Sequence, residues 1–593
     1  MACIRSAKAW RRPRSCPVCS SSCGCCRASM QPWPGRRKQC SRRNAVAEKP
    51  KTRGIGMSGT PVSSGLSRRS LLAGLASAPV MTSILGGPAG AQAPVAGGAF
   101  TIPVISNPAL WPLIGGVQNV MVNRVLFNSL TSYDDPNQKV VGDLAEKWSV
   151  SEDGLTWTFS LYPNVTWHDG KPFTADDVVF TITKIWLNPK ISFPQRSNFA
   201  TLTGAEKVDE RTVKLVTNVP TPALPVMLGY LAPILPAHVF SSWSNEDFTR
   251  PTAFTKSPVG TGPFKFGEFT PGSSVRLVRN DAYFRGKPLL DALVFKIMPD
   301  VEQQFAQLQS GQLDWMIIEP YQIDALKGNA RIKVNDVKSN MYFYVGLNDA
   351  MPPFDDKRVR QALSYAVDRQ AIIDGALAGR ADIAASPITP VLADFHNDKV
   401  ESYAIDLKKA GDLLDQAGWK VGAGGIRAKD GKPLKITLDV DAGNTTREQI
   451  ALIVQDNWKK IGVDTTIKTG DFGAFVQRMR AKPSDLQAFI CWWITAPDPD
   501  IISYYGTDKT LNIFAYSNPA VDKLLDEGRK TIDLAQRAKL YKDAQVLIAQ
   551  DAPCVFLYYA REIESVSANL RGWSPTLGYR YALGQAEKIW KAK

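Results

Sequence analysis

The chain has 593 residues, with 71 Lys and Arg against 56 Asp and Glu and a formal net charge of +15. The imbalance is confined to residues 1–93, which hold sixteen of the basic residues and a single acid, Glu48; the rest carries 55 of each sign. An electrically neutral body excludes a nucleic-acid binder held by bulk charge. The two cysteines beyond residue 93, Cys491 and Cys554, are too few for a disulfide scaffold, although one bridge between them stays open.

The first segment reads as a leader. Arg68-Arg69 precedes a diluted apolar run from Leu71 to Leu85, and Ala91-Gln92-Ala93 offers a small-residue cleavage site. The run falls short of the roughly 20 apolar residues that a membrane span needs. The arginine pair resembles a twin-arginine export motif, with a Sec-type signal as the alternative. No cysteine follows the run, so a lipid anchor is not expected. Residues 1–66 contain Cys16-x-x-Cys19, but no second ligand pair or apolar periodicity supports a zinc site there. Met57 would give a signal of ordinary length, and the expected domain boundary is 1–93.

The body alternates strand and helix patterns. Leu155, Trp157, Phe159 and Leu161 share one face of "LTWTFSLY", the period of a half-buried strand. Thr174 and Asp177 then form a capping-box pattern before a stripe of Val178, Ile182 and Ile185. A helix is expected from the acids at Asp355-Asp356 onward, with Val359, Leu363, Ala366 and Ile373 inward and Gly379 as its stop. A second places Leu407, Ala410, Leu414 and Ala417 in register, ending at Gly418. A third ends at Gly462 and passes into a strand over Val463–Ile467. Helix, glycine and strand in succession predict an α/β fold.

Enzymatic signatures are missing from the sequence. There are three histidines, His168, His238 and His396, and His168 in "WHDGKPF" reads as a turn residue. No P-loop, Gly-x-Ser-x-Gly elbow or His-Glu-x-x-His helix occurs. Neither a catalytic residue, nor a cofactor, nor a directly coordinated metal is expected.

Several segments taken in order are similar to the family 5 extracellular solute-binding proteins of bacterial ABC importers, the dipeptide, oligopeptide and nickel group. They are "LAEKWSVSEDGLTWTFSLYPNVTWHDGKPFTADDVVFTI", "SPVGTGPFKFGEF", "RNDAYFRGKPLLDALVFKIMPD", "LQSGQLDW", "FDDKRVRQALSYAVDRQAIID" and "KKAGDLLDQAGW". The resemblance implies a two-lobed type II periplasmic binding fold with mixed sheets and a hinge. Lobe I would take 94–340 and be completed by 552–593; lobe II would take 341–551. Crossings near "NMYFYVGLN" and "DAPCVFLYY" would form the hinge. It further implies a periplasmic, monomeric protein that captures a peptide or peptide-like solute and delivers it to membrane permease subunits. An opine, sugar or metal chelate as ligand, or a sensory role, stays open.

Aligned on Asp498-Pro499-Asp500, the family's ligand-site tryptophan falls on Trp492. The acid that its peptide binders use for the α-ammonium falls on Thr495. A hydroxyl cannot replace that charge, so Asp498 is considered as a substitute, and Trp493 as a second stacking residue. Opposite, Gly115-Gly116 in "LWPLIGGVQN" would allow close backbone approach. Tyr342, with Tyr344 beside it, lies near the hinge and is expected to supply a side chain to the cleft.

Overall fold

Two long strands organise the molecule: Ile332–Leu347, of 16 residues, and Cys554–Ser567, of 14. At roughly 3.3 Å per residue the first spans about 50 Å. They run antiparallel, with Ile332 opposite Ser567 at one end and Gly346 opposite Cys554 at the other. The register slips between Lys338 and Tyr342, which divides the pair into two halves. On one side of the slip Trp315–Ile318 pairs with Ile563–Val566; on the other Ala488–Ile494 pairs with Met341–Leu347. Ala381–Ile383 pairs with Tyr558–Ala560, while Lys435–Asp441 and Asp464–Gly470 extend the sheet in parallel, with the helix Thr445–Lys460 as their crossover. The computed structural model describes residues 93–114, 117–134, 139–229, 232–574 and 583–592. The leader, with its arginine pair and Cys16-x-x-Cys19, lies outside them.

Two further four-stranded sheets build the part before residue 300. One joins Ala99–Val104, Ala292–Ile297, Ser274–Arg279 and Phe264–Thr270; the other is an antiparallel set around Thr156–Leu161. Their apolar faces share one core with Trp315, Val566, Leu570 and Ile589, so the chain end closes the region that the chain start opened. The cores of the later region surround both faces of the long sheet between Tyr342 and Tyr559.

Local chemistry explains most elements. Thr156–Leu161 alternates in burial as its period-two pattern requires. The Thr174 and Asp177 side chains complete a reciprocal capping box, and Val178, Ile182 and Ile185 are fully buried. From Thr181 the helix widens into π turns, and there the Thr181 hydroxyl donates to the Asp177 carbonyl (2.8 Å) beside the backbone bond. The helix expected to run towards Gly379 is broken in two: Lys357–Ala366 ends before Asp368, whose carboxylate caps Arg369–Ala376. An internal N-cap overrides a continuous apolar stripe there. Leu407 is exposed rather than inward, while Ala410, Leu414 and Ala417 pack as the stripe demands. Gly418 (φ 89°) and Gly462 (φ 82°) take the left-handed conformation that ends each helix.

The two regions also meet away from the long strands. Tyr133 and Val140, from a short hairpin, pack on Val391 and Ala496. A Cβ placed on Gly154 would lie 3.0 Å from Pro220 and 3.2 Å from Ile532, so that turn also touches the far region.

Candidate functional site

The strand Ala488–Ile494 presents adjacent tryptophans to opposite faces of the sheet, as strand geometry requires. Trp492 lies opposite Phe343, and Trp493 opposite Tyr342. On the first face Trp492 is stacked between Phe343 and Phe472, each 5.8 Å away between centroids, and Phe343 stacks on Tyr558 at 4.6 Å. The Arg447 guanidinium lies 4.5 Å above the Trp492 ring and is itself ion-paired to Asp441. A cation on an indole face contributes about 0.5–2 kcal/mol. The exposed Phe472 ring leaves the end of this stack open to solvent.

The second face leads to the contact between the regions. Trp493 packs on Tyr504 at 4.8 Å, and its indole Nε1 is buried without a hydrogen-bond partner. Thr495 follows, buried, and both its amide (2.9 Å) and its hydroxyl (3.3 Å) donate to the Asn340 carbonyl. The Asn340 side-chain oxygen accepts from Thr389 at 3.1 Å, while its Nδ2 has no partner. One residue on, Ala496 packs against the cluster in which Tyr133 from the other region meets Val391.

Asp498 is committed elsewhere. Its two oxygens accept from Arg537 Nη2 (2.9 Å) and Nη1 (3.0 Å) in a buried bidentate pair. Burial works against the Arg537 guanidinium, yet Asp498 outweighs it and holds its pKa above the ordinary value. Asp500 is raised by desolvation, which Arg529 opposes, and its Oδ1 accepts from the Ile502 amide. Asp498 is thus a structural anion that shapes the 495–500 loop, not a free carboxylate for a ligand.

Tyr342 also differs from its expected place. Tyr342 and Tyr344 are two residues apart, share one sheet face, and are both fully buried. The Tyr342 hydroxyl lies 3.1 Å from that of Tyr505, so it is spent inside the core. Cys491 and Cys554 are buried free thiols flanking this cluster, and they do not pair.

Gly115 and Gly116 lie outside the described residues, but their flanks are informative. Ile114 is exposed at the edge of a pocket of about 790 Å³, counting its open mouth, that Asn123, Thr131, Ser132 and Arg285 also line. Thr131 and Ser132 lead directly into Tyr133, so the pocket lies beside the contact between the regions. At its floor Asp143 is raised by desolvation against the opposing charge of Arg285, whose Nη1 lies 3.0 Å away. Sequence patterns did not point to Asn340, Arg447, Phe472 or Tyr133. Arg447 and Phe472 sit in the first turns of helices, and Asn340 sits at a strand irregularity, positions whose spacing carries no chemical signature.

Two regions joined by two long strands, facing each other across a rim of side chains, define a two-lobed binding protein of the periplasmic type. The sequence matches the profile described as bacterial extracellular solute-binding proteins, family 5 Middle, over residues 139–512. The chain belongs to that family. It is 31% identical over 512 residues to oligopeptide-binding protein AppA of Bacillus subtilis, covering 84% of this chain and 93% of that protein. The structure of AppA in complex with a nonapeptide superposes with a TM-score of 0.70, covering 84% of this chain and all of that one. Heme-binding protein A of Haemophilus influenzae is 30% identical over 79% of this chain and 88% of its own length. NikZ of Campylobacter jejuni in complex with Ni(L-His), 28% identical, superposes with a TM-score of 0.71 over 83% of this chain and 99% of that one. Among the described residues no helix is long and apolar enough to cross a membrane, and no three His, Cys, Asp or Glu side chains form a metal-binding group.

Proposed function

We propose that this chain is the periplasmic solute-binding component of an ABC importer, capturing a peptide or peptide-like solute between two lobes and presenting it to membrane permease subunits. Lobe I takes residues 94–340 and 552–593, and lobe II takes 341–551. Export follows cleavage near Ala93, and the protein acts as a monomer without catalysing a reaction. The observation that carries this reading is the meeting of Tyr133 with Val391, a small cluster that Ala496 joins one residue from the buried Thr495. A solute lodged there touches both lobes at once, and only such a solute shifts the balance towards the closed form. The likeness to AppA, whose structure holds a nonapeptide, supports the ligand class.

A pooled library of tri- to pentapeptides tests this. Binding raises the melting temperature by mass action, equivalent to about 2.7 kcal/mol at a hundredfold excess over Kd. It also reduces the radius of gyration in small-angle scattering. A library that leaves both unchanged, while an opine, sugar or chelate moves them, would transfer the assignment to that solute.

A further inference from the structure

The side-chain polar groups at the 493–500 segment and the facing Asn340 are of one kind once those already engaged are set aside. Both oxygens of Asp498 are held by Arg537. Asp500 is engaged by the Ile502 amide and lies 3.5 Å from Arg529. The Thr495 hydroxyl donates to the Asn340 carbonyl. What remains is Trp493 Nε1 and Asn340 Nδ2, both buried and both without a partner. An indole N–H can only donate, and Asn340 is 1% exposed. A buried donor left unpaired is destabilising. Both sit at the corner where Thr495 bonds Asn340, Thr389 bonds Asn340 and Ala496 joins the cluster in which Tyr133 meets Val391.

Resting on the peptide reading above, we infer that this corner receives a hydrogen-bond-accepting oxygen of the ligand and does not receive a free ammonium group. The ligand class is therefore a peptide-like compound whose end at Thr495 is an acyl-capped amide or a carboxylate. An ammonium brought here would meet two donors and no uncommitted carboxylate in the segment, and a desolvated unpaired cation is costly. A carbonyl or carboxylate oxygen would instead accept from the Trp493 indole N–H.

The experiment uses four matched pools of tetrapeptides: both ends free, N-acetylated, C-amidated, and capped at both ends. Affinities of the best binders are measured by calorimetry. N-acetylation is expected to leave affinity unchanged or to improve it. If the carboxylate is the group received, C-amidation weakens binding; if the acyl carbonyl is received, the doubly capped pool binds as well as the acetylated one. Trp493→Phe is expected to weaken the preferred form about tenfold by removing one donor. Asn340→Asp, nearly isosteric, is expected to invert the preference towards free-amine peptides, which a change in packing alone would not do. Binding confined to free-amine peptides, or an unchanged preference in both variants, would overturn this inference and leave the peptide reading standing. A response to none of the four pools would overturn both.

Discussion

Asp498 and Trp493 lie five residues apart on one segment, and their polar atoms have opposite fates. The Asp498 carboxylate is saturated by a buried guanidinium, while the Trp493 indole N–H is buried with nothing to receive it. His168 belongs with Asp498: its Nδ1 accepts from the Gly260 amide (3.2 Å) and its Nε2 lies 3.0 Å from the Gly262 carbonyl. Saturated polar groups in an interior specify the fold, because each would be expensive to leave alone. On the inference drawn above, the groups left open near the meeting of the two lobes are the ones that receive the solute. On that inference, the difference separates the scaffold of the 493–500 loop from the surface that meets the solute.

The strongest way to break this comparison is to unpair Asp498. Arg537→Ala leaves a buried carboxylate alone and is expected to cost about 3–5 kcal/mol in denaturant unfolding. The double variant Asp498→Leu, Arg537→Met should recover most of that loss, since the desolvation penalty disappears with the charges. A single-variant loss below about 1 kcal/mol would remove Asp498 from the scaffold class.

A second test uses pH. Burial lowers the His168 pKa from 6.5 to about 4, with the Gly262 hydrogen bond opposing and Lys265 reinforcing the shift. The native ring is therefore neutral at pH values where the unfolded chain already binds a proton. Its contribution is complete above pH 6.5 and is lost as pH falls from there towards 4, by about 3 kcal/mol in all. His168→Gln should flatten that part of the stability profile, measured by urea unfolding between pH 7 and 4. An unchanged slope would mean that His168 is not held neutral by its surroundings.

The smallest effect sharpens the other side. Thr495→Asp puts a carboxylate next to the open donors, and it is expected to raise the affinity of free-amine peptides about tenfold while leaving unfolding cooperative. Equal affinities for the free and acetylated forms in that variant would show that residue 495 does not face the ligand.

Much of the architecture was legible in local pattern. The strand at 155–162, the capping box at Thr174 and the glycine stops at 418 and 462 each follow from a few neighbouring residues, and all four recur in the structure. The break at Asp368 was also written locally, in a residue type that caps helices, but the apolar stripe across it masked the signal. The site was less legible. Tyr342 and Tyr344 both lie in the core because residues two apart in a strand share a face, a rule available from sequence once the sheet's buried face is known. The order of family motifs selected the loop around Trp492, and charge balance after residue 93 excluded a polyanion partner.

By itself, the sequence determined element types, most helix ends, the family and the absence of catalytic motifs, because these depend on nearest-neighbour chemistry and on segment order. Only the tertiary structure decided that Asp498 is bound to a residue 39 positions away. It alone brought Tyr133 onto Val391, and it alone left the Trp493 and Asn340 donors unpaired. Burial and hydrogen-bond satisfaction depend on which distant segments meet, and no local spacing in the chain encodes that.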